Sequence, residues 1–478
     1  MALSARSLTA SANPEALPDY WHEAATTQIR ASDLWRGERR LEAEAFLHEG
    51  YRIQKRFEEI SGGWTRFGSL APASAPPRIK QVLVAAGHGT PYLNTSQVFD
   101  PWPSPRKWLA MSKTNKASER LVESGTILVM ASATVGRAIV ATRAHENTVI
   151  SHHFMRVTPQ NPDQAGWIYA FLRSRYARAM IDATQYASVI RHIEPHHLNK
   201  LPIPTVSDDL ALSFLAKSQE IVRCRDLANE KRAEAQDIFL SAVGSPQLKD
   251  REDGFSVSIN SLKNRRRRFE AEYHSPIVRA IIDQFERYVE LGDLCDGVWW
   301  GKRFKRNYGD AGIPYLSADD LFTTNRYYQQ RILVKPDDGH ESFFVKAGWL
   351  LMACSGQTYG LNGAVMLAGP EHENSFFSHD LIRIIPKSDV RPGYLLIALT
   401  HPVLGRPLLM REAYGMSIPH LDPDDVSKFP VVRLKTETEN RIADLAEEAA
   451  SLLTRATELE TQIATEAEEI VLDFIGAY

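Results

Sequence analysis

The sequence predicts an α+β protein: two copies of one β-rich unit, separated by two long helices that pair as an antiparallel coiled coil. Three observations carry that expectation. They are an internal repeat at nearly constant offset, short apolar runs punctuated by glycine inside each copy, and a narrow apolar seam in the helical stretch after each copy.

The repeat comes first because it sets the boundaries of everything else. The run from Arg39 to Phe46, RRLEAEAF, returns as RRFEAEYH from Arg267 to His274, 228 positions later. GTPYLNTSQVF from Gly89 returns as GIPYLSADDLF from Gly312, and ESGTILVMAS returns as KAGWLLMACS with Gly125 opposite Gly348, both at an offset of 223. ISHHFMRVTP around Ser151 answers FSHDLIRIIP around Ser378 at 227, and YASVIRHIEPHHLNKLPIP from Tyr186 answers YGMSIPHLDPDDVSKFPVV from Tyr414 at 228. Two unrelated domains with common strand and turn patterns would not keep this order and spacing, so the chain divides as a duplication. The expected parts are an N-terminal extension at 1–30, units at 31–207 and 259–435, and helices at 208–245 and 437–476.

Within each copy, TILVMAS, AIVAT, WLLMACS and AVMLAG are β-branched, apolar and bounded by Gly, Ser and Asn, the texture of strands joined by tight turns. AGWIYAFLRSRYARAMIDAT and RPGYLLIALTHPVLGRPLLMREA read as helix, giving each unit at least one packed helix. In the second long helix, Ile442, Leu445, Ala449, Leu452, Ala456, Leu459 and Ile463 alternate steps of three and four, and the seam then shifts to Ala467, Ile470 and Phe474. The first has a weaker seam at Phe214, Ile221, Cys224, Ala228, Ala235 and Ile238, interrupted by Lys217 and Lys231. A helix of some 35 residues spans roughly 50 Å. With so narrow an apolar stripe it needs a helical partner, and the other copy's helix is at hand.

Composition bounds the possibilities. At 478 residues with 44% hydrophobic and 24% charged, the chain is long enough for more than one ordinary core and too apolar for wholesale disorder. Cys224, Cys295 and Cys354 form no CxxC pair, which argues against a disulfide framework or a thiolate zinc site and for a reducing cytoplasmic setting. No apolar run approaches the ~18 residues that span a bilayer, and the first residues lack the apolar core of a secretory signal. The net charge of −3 does not announce DNA binding, yet local runs are strongly basic: Arg265 to Arg268, and Lys302, Arg303, Lys305 and Arg306.

Two similar but divergent modules on a rigid spacer suit a ligand that is linear, periodic and asymmetric in sequence. Duplex DNA is such a ligand, each module entering a major groove. RFEAEY, GIPYLSADDLF, HIEPHHLNKLPIP and the helix after it resemble the specificity subunit of type I restriction-modification systems, over nearly the whole chain from about residue 31. The resemblance implies two target-recognition domains that each read half of a split DNA sequence, and helices that set the spacing and dock two methyltransferase subunits. It also implies a non-catalytic chain without cofactor, with S-adenosylmethionine, ATP and Mg on the partner subunits, and restriction-translocase subunits for cleavage. Two segments depart from their counterparts: 1–30 has none, and the Pro- and Ala-rich SGGWTRFGSLAPASAPPRIKQVLVAAG stands against GVWWGKRFKRNYGDAG. The alternative is a non-catalytic adaptor that binds proteins.

Candidate DNA contacts follow. The loops SATVGR, with Thr134 and Arg137, and SGQTYGLN, with Gln357, Tyr359 and Asn362, are polar turns between strands; Arg137 suits guanine, and Gln357 or Asn362 suits adenine. An ordinary hairpin explains the same glycines. Lys302, Arg303, Lys305 and Arg306 follow Trp299 and Trp300, and Arg106, Lys107, Lys113, Lys116 and Arg120 are offered as their counterpart, against a solvated charge run. Arg265 to Arg268 suit a phosphate or partner contact, or equally a capping or salt-bridged role. Tyr186, Ser188, Arg191, His192, Tyr414, Met416 and His420 occupy a segment repeated in both copies; shared positions do not encode different half-sites, so Tyr186, Tyr414, His192 and His420 read mainly as scaffold, with contact to the phosphate backbone as the alternative. The pairs His152–His153 and His196–His197 lack HExxH or cysteine partners and read as ordinary histidines, not as a metal site. Asp319, Asp320, Asp337 and Asp338 are not followed by lysine in nuclease-like spacing. No GxxxxGK[ST] or GxGxxG and no Asn-Pro-Pro-Tyr or Asp-Pro-Pro-Tyr tetrad is present, so catalysis is assigned to partners.

Overall fold

The computed structural model describes residues 29, 31–36, 43–185, 191–247, 254–263, 266–325, 330–334 and 340–476. Most of segment 1–30, the start of the Arg39 repeat, Tyr186, Ser188, Arg265, Asp337 and Asp338 lie outside the described residues.

The two copies share one sheet plan. In the first, Ile127–Met130 is flanked by Ala138–Val140 and Phe154–Val157, with Ala73–Ser74 beyond; in the second, Leu350–Ala353 is flanked by Val365–Leu367 and Leu381–Pro386, with Cys295–Trp300 beyond. All four residues of each inner strand are buried, which is why ILVM and LLMA are continuously apolar instead of alternating. A second sheet repeats as well. Thr90–Leu93 pairs parallel with Val149–Ile150 and antiparallel with Lys107–Leu109, as Tyr308–Leu316 does with Phe376–Phe377 and Arg331–Ile332. Finally Trp64–Arg66 pairs with Pro202–Pro204, and Tyr288–Glu290 with Pro430–Val432.

Each expected unit helix is in fact two helices. Ala165–Arg173 and Arg175–Thr184 are separated at Ser174, whose hydroxyl accepts from Ala177 N and so caps the second. Pro392–Thr400 and Arg406–Met410 divide at a turn held by His401 Nδ1, which accepts from Val403 N and Leu404 N.

The long helices run from Asp208 to Val243 and from Thr436 to Ile475. Their pairing is antiparallel: Lys217 meets Glu466, Arg225 meets Glu460, Lys231 meets Glu448 and Glu234 meets Arg441, partners falling as positions rise. The two lysines that interrupt the first seam thus find carboxylates across it, Lys217 at 2.7 Å and Lys231 at 2.9 Å. In the second helix Ile442, Leu445, Ala449, Ala456, Leu459, Ile463 and Ala467 are buried and Leu452 is half-buried. Beyond Ala467 the seam differs from expectation: Val471 and Ile475 are the buried pair, while Ile470 and Phe474 are half-buried. This end packs on the first unit as well as on its partner helix, and Phe474 stacks on Phe57 with ring centroids 5.3 Å apart.

Each unit has its own core at one end of the helix pair. The first core takes in Phe214, Ile221 and Cys224 with Leu459, Ile463 and Val471; the second takes in Ala235 and Phe239 with Ile442 and Leu445. Matching glycines permit the docking. A Cβ on Gly166 would lie 2.2 Å from the Phe214 carbonyl carbon, and one on Gly393 would lie 2.5 Å from Ala443 O, so each unit's helix meets its own strut at backbone contact.

Candidate nucleic-acid interface

The loop after each inner strand is pinned to the segment that precedes the unit's last short helix. Ser132 bridges His192, Ala133 N donates to Arg191 O at 3.2 Å, and His192 Nδ1 lies 3.1 Å from Ala131 O. In the second unit Ser355 bridges His420 and Gly356 N donates to Pro419 O at 3.1 Å. His192 and His420 therefore brace these loops, consistent with a scaffold role.

The second loop is braced further from inside. Arg406 donates to Thr358 O at 2.7 Å, Gly360 O at 3.3 Å and Asn362 O at 3.2 Å, gathering three carbonyls of the loop onto one guanidinium. Asn362 is fully buried and its amide donates to Gly356 O and Pro419 O. It shapes the loop and does not present an edge to a groove, contrary to the adenine contact expected of it. Gln357 is exposed, donating to Ser417 O at 2.9 Å, and the tip carries Tyr359 at 68% and Met416 at 100% exposure.

Lys302, Arg303, Lys305 and Arg306 are all exposed in the link between Cys295–Trp300 and Tyr308–Leu316. Phe304 anchors this run, its ring 4.7 Å from that of Phe343 and 5.0 Å from that of Phe376, so the neighbouring cations are turned outward. Arg306 Nη2 stands 3.6 Å from an Asp380 carboxylate oxygen, and Asp380 O accepts from Cys354 N at the base of the Gln357 loop. Lys113, Lys116, Arg106 and Lys107 are exposed on the first unit, and Thr134 is half-buried.

Arg137 is the principal correction. Its guanidinium donates to Asn325 O at 2.8 Å, to Thr323 Oγ1 at 2.8 Å and to Thr324 O, and stacks on Phe99 at 3.7 Å. Burial, then the neighbouring Arg173, lowers its pKa. The group expected to grip guanine is spent on the second unit. Arg120 is likewise buried, donating to the carbonyls of Pro76, Pro77 and Ser151, and is not a counterpart of the exposed run. Arg266 pairs with Asp422 and Asp425, and Arg268 with Glu270 and the Glu412 and Ala413 carbonyls, the salt-bridged alternative for that run.

Sequence reasoning missed the groups around Asn325 altogether. Asn325 is buried, with φ of 55°; its amide donates to Ala138 O and Tyr169 Oη, both at 2.9 Å, and its oxygen accepts from Arg225 at 3.2 Å. Tyr169 in turn donates to Glu460 at 2.7 Å, and Arg225 pairs with the same carboxylate at 2.9 Å. Burial and the adjacent Glu460 raise the Tyr169 pKa, which keeps the phenol a donor. Nothing in TTNRYY marks Asn325 as special.

His197 Nδ1 accepts from Glu194 N as a helix cap, and burial with His153 and Arg120 nearby pushes His152 down to about 4. Among the described residues no group of three His, Cys, Asp or Glu side chains is placed to hold a metal ion. Asp320 closes a capping box with Ser317, and burial beside Asp320 raises the Asp319 pKa. Among the described residues no helix is long and apolar enough to cross a membrane.

The chain is similar to S subunits of type I restriction-modification systems. It aligns with the S subunit from M. genitalium at 14% identity, covering 87% of this chain and 96% of that one, with a TM-score of 0.36. The HsdS subunit from Thermoanaerobacter tengcongensis aligns at 14% identity over 87% and 97%, TM-score 0.25. A chain from a study of assembly and conformational transition of the type I R-M system aligns at 16% over 86% and 96%, TM-score 0.25. No family model and no curated protein matches.

Proposed function

We propose that this chain is the sequence-specific DNA-binding specificity subunit of a type I restriction-modification or related defence complex. Each β-rich unit reads one half of a bipartite target, the helix pair sets the spacing, and its exposed faces dock two methyltransferase subunits. The chain itself is non-catalytic; S-adenosylmethionine, ATP and Mg belong to partner subunits, restriction-translocase subunits among them.

The observation that carries this reading is the placement of two like-folded units at opposite ends of a helix pair built from their own chain. Phe214, in the first core, and Phe239, in the second, are 25 residues apart on one helix. At ~1.5 Å per residue that is roughly 37 Å, close to the ~34–36 Å turn that separates successive major-groove faces. The exposed Lys302, Arg303, Lys305 and Arg306, beside a braced loop bearing Gln357 and Tyr359, supply the phosphate and base-edge chemistry such a unit needs. Lys113 and Lys116 are the candidate phosphate contacts of the first unit.

Long-read methylation mapping of the host with and without the gene tests the reading: deletion abolishes methylation of one split, asymmetric motif. An unchanged methylome in an active system sinks it. A salt-dependent mobility shift with the methyltransferase partner present separates DNA reading from a purely protein-binding adaptor.

A further inference from the structure

The helix pair is not the only connection between the units. Residues Thr323 to Asn325 of the second unit enter a buried seat whose walls come from the first unit and from both long helices. Thr324 N and Oγ1 both donate to Phe99 O, at 2.7 and 2.9 Å. Asn325 binds Ala138 and Tyr169 of the first unit and Arg225 of the first long helix. Glu460 of the second long helix closes the network through Tyr169 and Arg225. Arg137 holds the loop from the other side through three acceptors.

Tyr169, Arg225, Asn325 and Glu460 are each exposed by 5% or less. A buried amide or carboxylate that loses its partners keeps its full desolvation penalty, so the network favours one arrangement and penalises partial separation. Asn325 also stands in the left-handed region, tolerated by asparagine, which fixes how its amide enters the seat.

We propose that the Thr323–Asn325 loop, with Arg137 as its clasp, is an inter-unit latch that fixes the separation and orientation of the two units in addition to the helix pair. On the DNA-reading proposal, Asn325 and Arg137 are then positioning residues for half-site spacing and touch no base. This consequence rests on that reading; the latch itself does not.

The test uses the full chain with spin labels at Ser118→Cys and Asn374→Cys, both exposed and on different units. Cys224, Cys295 and Cys354 are buried, so labelling falls on the introduced thiols. Pulsed dipolar spectroscopy reads the inter-unit distance. The latch requires one narrow distribution in the parent chain, and a broader, longer one after Asn325→Gly, which keeps the left-handed backbone and deletes the amide. Arg137→Met, which retains packing on Phe99 and loses the clasp, gives the same broadening. A broad distribution in the parent, or an unchanged narrow one in either folded variant, overturns the latch. Methylation mapping supplies the second readout: one spacer length in the parent, and two or more in Asn325→Gly. Loss of all bipartite methylation in the parent would remove the DNA reading while the distances still decide the latch.

Discussion

At the scale of residues, the exposed and the buried cations divide the work. Lys302, Arg303 and Lys305 are held outward by the Phe304 anchor, whereas Arg120, Arg137 and Arg406 are tied to carbonyls inside the protein. On the DNA-reading proposal, replacing Lys302, Arg303 and Lys305 by alanine weakens DNA binding evenly across sequences. The slope of log K against log salt should fall by about 0.9 for each phosphate that is no longer neutralised, read in a mobility-shift titration. An unchanged slope would remove this run from the interface. Asp100 offers a second residue-scale prediction. Burial raises its pKa to about 6, despite Arg232, Arg106 and Arg406 nearby. The folded chain therefore holds this proton more tightly than the unfolded one. The stability it adds is complete below the ordinary carboxylate range and is lost as pH rises through 6. Asp100→Asn keeps an acceptor for Trp102 N. It is expected to raise the melting temperature at pH 7 and not at pH 4, measured by calorimetry at both.

At the scale of elements, the long helices join an apolar seam to a buried polar junction, and the two respond differently to mutation. Glu460 serves Tyr169, Arg225 and Arg173 at 2% exposure. Glu460→Ala strands two buried guanidiniums and is predicted to cost ~3–5 kcal/mol. Lys231 and Glu448 pair at 31% and 52% side-chain exposure, so Lys231→Ala should cost under ~1 kcal/mol. Urea unfolding of both variants decides; equal losses would show that the junction has no special weight. The sequence made the second seam legible because apolar burial repeats locally, every three or four residues. Lys217 and Lys231 looked like interruptions because their partners are Glu466 and Glu448, more than two hundred positions away. Arg137 misled for the same reason. A polar loop between strands is correctly read as a loop, but its acceptor at Asn325 lies 188 residues on, beyond any local pattern.

At the scale of the whole molecule, duplication was legible because both copies preserve strand order and the glycine contacts at Gly166 and Gly393. The touching of the units was not, since Thr324, Thr323 and Asn325 meet Phe99, Arg137 and Tyr169 at sequence separations of 225, 186 and 156, beyond any local pattern. Two rulers, strut and latch, are separated by lengthening one of them. Seven residues of heptad pattern inserted after Ala228 and after Leu453 extend both helices by ~10 Å and nearly preserve the facing seam. The first insertion lies between Arg225, on the first unit's side, and Phe239, on the second's. Asn325 is carried away from Arg225 and Tyr169, so the latch must open. On the DNA-reading proposal, at ~3.4 Å per base pair the spacer of the methylated motif lengthens by about three base pairs, with a spread of lengths because only the strut remains. A spacer that kept its parental length would mean that the helix pair does not set the distance. A single longer spacer without spread would mean that the strut sets it alone and that the latch contributes nothing to spacing.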